Sequence, residues 1–328
     1  MISVDELKED AKIILEKMKD DLRRYVDEEC ADLIIFFFSL ISGQIIGIVP
    51  DLLKIEETLA PRTVQAQLKS KLKTALEVIQ LPEPVKGKIG ECLTKLVKSN
   101  WLKEALPETI KLIISEDLKK LEKFEESKAL LEIFHKACDK DLAKVLNTWR
   151  IHYPEKFDEF SFKMLDALTQ IMKAPETFES KARNFLMFTL IISEAYYRRL
   201  ISFLLDCIRI LEGKEPKGKV RYLGKSCGEF ESYKNKYPNV AIFFDKDVLA
   251  IRNAIAHADY EIDVENKKII IKVRENNRKV IKEITEDDLE TKKSYLIRMA
   301  QISLLFYSYT LFYLTKKIGL WERIISQT

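Results

Sequence analysis

The spacing of apolar and polar residues predicts that this chain is mainly helical. Leucine, isoleucine, lysine and glutamate recur at intervals of three and four positions, which places the apolar side chains on one face of an α-helix. In the first half, this pattern predicts helices near residues 3–29, 62–80, 88–99, 107–124 and 126–150. We therefore predict an all-α domain over residues 1–150, whose role the sequence does not indicate, and a connecting segment over residues 151–176.

The second half predicts a helical bundle with a small sheet inserted near its end. A strongly apolar helix is predicted from about 177 to 212, with shorter helices near 224–236 and 243–257. The period then changes to two, and "KKIIIKV" and "KVIKEI" flank a polar turn, which predicts a β-hairpin or meander at about 259–284. Thr285 precedes Asp288 by three positions, as in a capping box, so a long final helix is predicted to begin there. The second domain is thus predicted to span residues 177–328.

One uncharged stretch, "LIIFFFSLISGQIIGIV" at residues 33–49, raises the question of a membrane. Its 17 residues are at the lower limit for crossing a bilayer, and its serines, glycines and glutamine make it less apolar than a typical span. We expect a buried core helix, and the alternative is a membrane-associated helical protein anchored by this stretch. Residues 1–29 are densely charged, which is untypical of a signal peptide.

Composition narrows the chemistry only slightly. The chain has 55 basic and 52 acidic residues, a balance that neither demands nor excludes a nucleic-acid partner. Five cysteines lie far apart and form no CxxC pair, so we expect reduced thiols in a cytoplasmic protein. No HExxH motif or paired Cys/His spacing occurs, and we expect no metal and no cofactor.

Two apparent catalytic motifs lack the structural context that they require. "GKSCG" at residues 224–228 has the spacing of a nucleophile elbow, but that elbow depends on a parallel sheet and no βαβ alternation is present. "GKVRYLGKS" at residues 218–226 resembles a phosphate-binding loop. Five residues separate its glycines where the motif needs four, and no strand precedes it.

The string Arg252–Asn253–x–x–x–His257 is the strongest candidate for chemistry. A guanidinium can bind a phosphate bidentately, and an imidazole can transfer a proton near neutral pH. RNA carries its own nucleophile, the 2′-hydroxyl, so such a pair could cleave it without a metal. On a regular helix, residues five apart point about 140° from each other. The two side chains could therefore meet at one phosphate only in a wide groove or in a cleft shared by two subunits. Taken alone, such a string arises often by chance, and most histidines in this spacing are ordinary surface or core residues.

The surrounding sequence resembles the HEPN superfamily (higher eukaryotes and prokaryotes nucleotide-binding). Its signature is an arginine followed four to six residues later by a histidine, usually with asparagine directly after the arginine. "LAIRNAIAHADYEID" at residues 249–263 fits this pattern. Its "AHADY" continuation and the upstream "YLGKS" at residues 222–226 resemble one of the family's prokaryotic branches. The resemblance covers about residues 177–320 and implies a dimeric helical bundle, often a metal-independent endoribonuclease of toxin–antitoxin or other defence systems. The meander after His257 departs from the family.

The resulting hypothesis is a mainly α protein whose C-terminal HEPN-like bundle cleaves RNA as a homodimer. Arg252 would bind the scissile phosphate, His257 would act as general acid or base, and Asn253 would orient them. Glu194, which interrupts an apolar stripe, and Tyr260 are supporting candidates. The basic loop would guide the RNA through Lys217, Lys219, Arg221 and Lys225. A protein partner or antitoxin would bind through residues 1–150. The alternative is a non-catalytic HEPN-like scaffold or a nucleotide- or nucleic-acid-binding module.

Overall fold

The structure is a computed structural model of the 328-residue chain. It describes residues 16, 19–35, 82–98, 106–154, 177–243, 246–275 and 278–319. These residues are mainly α-helical and include one three-stranded antiparallel sheet, which confirms the fold class predicted from the sequence. The predicted helix at 62–80, most of the apolar stretch at 33–49 and the segment between Pro154 and Pro175 lie outside the described residues.

The chain divides into two compact units. The first contains residues 1–120, 155–159 and 307–328, and the second contains residues 121–154 and 160–306. This division differs from the predicted one, because the helix over Glu125–His152 belongs to the same unit as the candidate site. Its Phe134 packs against Phe203 at 6.2 Å between ring centroids, a contact between distant parts of the sequence that helical periodicity does not reveal.

Among the described residues, the first unit contains two helices from the first half of the chain, a broken N-terminal helix and the end of the final helix from Tyr307 onward. The helices are α1 (Glu83–Lys98) and most of α2 (Leu106–Glu122). The predicted continuous helix over residues 3–29 is wrong for its described part, because the chain turns at residues 23–26 and a new helix begins at residue 28. The Asp27 carboxylate accepts the backbone N–H of Cys30 at 2.9 Å, which caps the new helix.

A disulfide within the first unit corrects the expectation that all five cysteines are reduced. Cys30 and Cys92 are bonded to each other across 62 positions of sequence, and both are buried. Cys138, Cys207 and Cys227 are free thiols. Disulfides are rare in cytosolic proteins, and the cytoplasmic location stays a prediction.

The second unit is built from helices around a buried aromatic cluster. In chain order the helices are α3 (Glu125–His152), α4 (Phe178–Ile192), α5 (Arg198–Leu211), α6 (Leu223–Glu231) and α7 (Lys246–Ala256). A π-helical segment, Ser193–Tyr197, joins α4 to α5, and a 3₁₀ turn, Pro238–Phe243, precedes α7. Phe134, Phe203 and Phe306 lie within 6.3 Å of one another between ring centroids and are fully buried. Such packing holds α3, α5 and the final helix together.

The predicted meander is confirmed as a sheet of three strands in sequence order. The strands are β1 (Tyr260–Asp263), β2 (Lys268–Glu275) and β3 (Arg278–Thr285). Ile269, Ile271 and Ile284 are buried on one face, as the alternation of apolar and polar positions requires. This sheet packs through β2 against α7, so it supports the helix that carries Arg252.

The predicted cap of the final helix, α8 (Glu286–Lys317), is also confirmed. Thr285 donates its backbone N–H to Asp288 Oδ2 at 3.0 Å, and the Asp288 N–H donates to Thr285 Oγ1 at 3.3 Å. This reciprocal pair satisfies two backbone groups at the helix start. Within the described ranges, none of the helices has the length and apolar character needed to cross a bilayer.

Candidate functional site

Glu194 lies on the π-helical segment that interrupts the predicted helix from 177 to 212. The segment has five residues, Ser193–Tyr197, and its Ala195, Tyr196 and Tyr197 are buried. A π-turn widens the helix locally and is frequently found at functional sites. Because its neighbours are anchored in the core, the Glu194 carboxylate is held at the surface of the bundle in a fixed direction.

Glu194 binds the guanidinium groups of two arginines. Arg252 donates its Nε–H to Glu194 Oε1 at 2.6 Å, and its Nη2 contacts the same oxygen. Arg198, one turn along the helix, donates from Nη1 to the other carboxylate oxygen, Oε2. Two cations and one anion leave this group with a net charge of +1, which favours an anionic ligand. We call Glu194, Arg198 and Arg252 the arginine cluster.

The arginine cluster is accessible to a ligand. The Arg252 side chain is 18% exposed, and a guanidinium has more N–H donors than its contacts with Glu194 use. A further N–H of Arg252, on Nη1, donates to Asn253 Oδ1 at 3.0 Å. The contacts hold the planar fork of Arg252 in one orientation, so a phosphate oxygen could bind to the remaining donors without reorganising the side chain.

Among the described residues, the Asn253 side chain is hydrogen-bonded to one of the two residues that it was predicted to orient. Its side-chain oxygen accepts from Arg252, and within the described residues no hydrogen bond joins the Asn253 side chain to His257. Asn253 and His257 are connected only through the backbone, where the His257 N–H donates to the Asn253 carbonyl at 3.1 Å. Asn253 therefore orients the arginine and not the histidine.

His257 lies at the end of α7 and is exposed to solvent. It follows the last helical residue, Ala256, and occupies the C-cap of a Schellman motif. In this motif the Asp259 N–H donates to the Ala254 carbonyl at 2.8 Å, and the Ala258 N–H donates to the Ile255 carbonyl at 3.2 Å. In the part of the chain that the structure describes, no hydrogen bond or ion pair engages the His257 imidazole, so it is available to a substrate.

The residue after His257 has an unusual backbone conformation that can be tested. Ala258 has a φ of 53°, which lies in the left-handed region of backbone conformation. Glycine adopts this region without strain, whereas for other residues the conformation is less favourable by about 1–2 kcal/mol. Ala258→Gly is expected to raise the free energy of unfolding by about 1 kcal/mol, measured by urea denaturation. Its matched control, Ala256→Gly within the helix, is expected to lower it by about 0.5–1 kcal/mol. Equal effects of the two changes would contradict the assigned cap.

Tyr260 and the four predicted RNA-binding residues are placed differently from one another. Tyr260 begins β1 opposite Ile271, and among the described residues no hydrogen bond or cation–π contact joins its side chain to the arginine cluster. Lys217 is exposed but bonds Glu229 at 2.6 Å. Lys219 and Lys225 are exposed and make no ion pair with a described residue. These two lysines remain available to an anionic partner.

Arg221 is withdrawn from the predicted RNA-binding residues because it is buried. Its Nη2 contacts Asp206 Oδ1, its Nη1 donates to the Ser202 carbonyl at 3.3 Å, and its backbone N–H donates to Ser202 Oγ at 3.0 Å. A buried guanidinium that pairs with a buried carboxylate is part of the interior. The net basic charge of the loop therefore overstates the charge that it presents to solvent.

Asp206 is the centre of a buried polar network that the sequence did not indicate. His152 Nε2 lies 2.9 Å from Asp206 Oδ2, and both side chains are completely buried. Asp206 also accepts the backbone N–H groups of Lys217 and Gly218, at 2.9 and 3.2 Å. Together with the Arg221 contact, these bonds fix the loop between α5 and α6 to the helical bundle.

The rejected catalytic motifs remain unsupported by the geometry. Ser226 is fully buried within α6, so its hydroxyl is not presented to solvent. Burial raises the pKa of its neighbour Cys227 to about 12, which keeps that thiol protonated and unreactive at neutral pH. Among the described residues, no group of three or more His, Cys, Asp or Glu side chains is arranged to hold a metal ion.

Comparison with known proteins identified no relative of this chain. No protein-family model matches the chain, and neither the curated proteins nor the solved structures contain a significant match. The case for function therefore rests on the geometry of the arginine cluster and His257.

Proposed function

We propose that this chain is a metal-independent endoribonuclease of HEPN type, acting in a toxin–antitoxin or other defence system. The observation that carries the proposal is that Glu194 of the arginine cluster, together with Asn253, orients the partly exposed Arg252 on α7, the helix that ends just before His257. Always charged, Arg252 would bind and neutralise the scissile phosphate. His257 is exposed, and among the described residues none bonds its imidazole. It would act as the general acid or base that transfers a proton during cleavage.

The proposed reaction is an internal transesterification. The 2′-oxygen attacks the adjacent phosphorus, the bond from phosphorus to the 5′-oxygen breaks, and the products carry a 2′,3′-cyclic phosphate and a 5′-hydroxyl. One proton leaves the 2′-hydroxyl and one is added to the departing 5′-oxygen. A single imidazole would supply one of these transfers at a time, so we infer that two copies of the chain contribute two His257 side chains to one cleft.

A second candidate function, a nucleic-acid-binding module without catalysis, is favoured by one observation. Among the described residues, no hydrogen bond or ion pair joins the side chains of His257 and Arg252, and the Asn253 side chain bonds Arg252. Within one chain, the geometry therefore supports phosphate binding by Arg252 more clearly than it supports proton transfer by His257 at the same phosphate. The homodimer proposal accounts for this, because the histidine that acts on a phosphate bound by one Arg252 could come from the second copy.

The test of the proposed function is RNA cleavage by the purified full-length chain in excess EDTA. The expected result is a set of fragments whose 3′ ends are 2′,3′-cyclic phosphates, with no cleavage of a 2′-O-methyl RNA of the same sequence. Intact RNA after incubation, or equal cleavage of the 2′-O-methyl substrate, would contradict the proposal. Growth arrest on expression in cells is a second readout for an enzyme that needs a cellular partner.

A further inference from the structure

Tyr222 is an exposed aromatic side chain beside the arginine cluster. It is 68% exposed, the highest value among the large hydrophobic side chains that the structure places on the described surface. The Arg198 guanidinium carbon lies 5.9 Å from the Tyr222 ring centroid, and the Lys225 Nζ lies 6.0 Å from it. Arg198 in turn shares the Glu194 carboxylate with Arg252. A continuous set of contacts therefore runs from the tyrosine ring to the proposed phosphate site.

The backbone at Tyr222 is fixed, although its side chain is exposed. The residue before it, Arg221, is buried through its bonds to Ser202, and the residue after it, Leu223, is completely buried. The Tyr222 carbonyl also accepts the Ser226 N–H at 3.0 Å at the start of α6. A tyrosine presented from a rigid backbone loses little conformational entropy when a ligand covers its ring.

An exposed ring with two cations near it suits an unpaired nucleobase better than an apolar partner. Bases stack on tyrosine faces, and arginine and lysine beside the ring attract the phosphates on either side of that base. A protein surface that buried Tyr222 would also have to desolvate Arg198 and Lys225, which is costly without opposite charges. Lys219, on the loop before α6, and Lys225, on α6 itself, are exposed and add further positive charge to this part of the chain.

We propose that Tyr222 is a stacking platform for an unpaired base of the RNA, next to the phosphate bound by Arg252. The proposal rests on the proposed function for the identity of the ligand, and it goes further by assigning single-stranded RNA as the substrate class. Arg198 has two roles in it, since it holds Glu194 and also lies against the ring. Lys225 contributes charge to the backbone of the same strand.

The test uses binding, so that it does not depend on cleavage. The full-length chain is titrated into a short, unstructured, fluorescently labelled 2′-O-methyl RNA in EDTA, and the dissociation constant is measured by fluorescence anisotropy. Tyr222→Ala is expected to weaken binding by about tenfold, in line with the loss of one stacked base. Tyr222→Trp is expected to keep the affinity, because it keeps an aromatic face. The matched control is Ile281→Ala, which removes another exposed apolar side chain, 64% exposed on β3, and should leave binding unchanged.

An abasic scan of the oligonucleotide identifies the stacked base directly. Removing the base at one position should weaken binding by the wild-type chain as much as Tyr222→Ala does, and should have no further effect on Tyr222→Ala. Lys225→Ala should instead lower the salt dependence of binding, which Tyr222→Ala should leave unchanged. A duplex of the same sequence should bind equally well to wild type and Tyr222→Ala, because its bases are already stacked.

The outcomes separate this proposal from the proposed function. Unchanged affinity of Tyr222→Ala, additive effects at every abasic position, or an equal loss of duplex binding would overturn the stacking platform, even if the chain cleaves RNA. The expected Tyr222 and abasic results would support the platform, even if no RNA is cleaved in EDTA. A wild-type chain that binds none of the oligonucleotides would overturn the platform as well.

Discussion

Arg252→Ala is expected to slow RNA cleavage by at least about 100-fold, the loss typical of removing one well-placed donor to a transition-state oxyanion. The change removes the guanidinium that Glu194 and Asn253 orient, while Glu194 keeps its bond to Arg198. Arg252→Lys should recover little of the rate, because an ammonium cannot make the two parallel bonds of a guanidinium. The measurement is the single-turnover rate on one RNA at saturating protein.

The matched control for Arg252 is Arg183→Ala. Arg183 is an exposed arginine on α4 that bonds a neighbouring carboxylate, Glu179, at 2.7 Å, and it lies outside the arginine cluster. Its replacement should leave the rate close to that of wild type. If both variants cleave RNA equally fast, the arginine cluster does not bind the scissile phosphate. Thermal unfolding of each variant shows whether a lost rate reflects a lost fold.

Asp206→Ala is expected to lower the free energy of unfolding by about 3–5 kcal/mol, the cost typical of breaking a buried ion pair. Asp206 is 0% exposed, and its loss leaves the buried Arg221 guanidinium and His152 imidazole without their shared acceptor. The matched control is Asp139→Ala on the exposed side of α3, which should stay within about 0.5 kcal/mol of wild type. Urea denaturation measures both, and Asp206→Asn provides a milder variant if the alanine form does not fold. Equal stabilities of Asp206→Ala and Asp139→Ala would contradict the assigned network.

The same network makes stability depend on pH in a defined direction. Burial lowers the pKa of His152 below its ordinary value of 6.5, although the bond to Asp206 opposes this. As the pH falls through 6.5, the unfolded chain takes up a proton that the folded chain resists, so stability decreases. The pKa of Asp206 is also lowered: burial opposes this, but the bonds from His152 and the Lys217 N–H and the Arg221 charge outweigh it. The stability that the ionised Asp206 carboxylate contributes is lost at still lower pH, where this carboxylate is protonated in the folded chain.

The features that the sequence predicted well are local ones. The β-hairpin follows from a change of period within one stretch, and the cap of α8 depends on two residues three positions apart. Glu194 was also recognisable, since a carboxylate on an otherwise apolar stripe needs a partner. Its partner, Arg252, is 58 positions away, and helical periodicity contains no information about such a pairing.

The features that the sequence missed depend on contacts between distant elements. From the sequence, Arg221 is predicted to be one more exposed basic residue of a loop, because its burial against Asp206 depends on the tertiary fold. Cys30 and Cys92 are 62 positions apart and share no spacing motif. The π-helical segment adds a wider turn to a helix whose composition is ordinary, so its position depends on tertiary packing. Tyr222 was part of a recognisable string, but its exposure and its two neighbouring cations are visible only in the structure.

The most direct test of the central claim compares two of the chain's three histidines in one cleavage assay. Single-turnover cleavage of one RNA in excess EDTA is measured for wild type, His257→Ala and His135→Ala, where His135 is a partly buried histidine of α3 outside the candidate site. If His257 transfers the proton, its replacement should slow cleavage by at least about 100-fold, as expected for the loss of a general acid or base. His135→Ala should cleave close to the wild-type rate and yield the same 2′,3′-cyclic phosphate ends. Undiminished cleavage by His257→Ala would contradict the account.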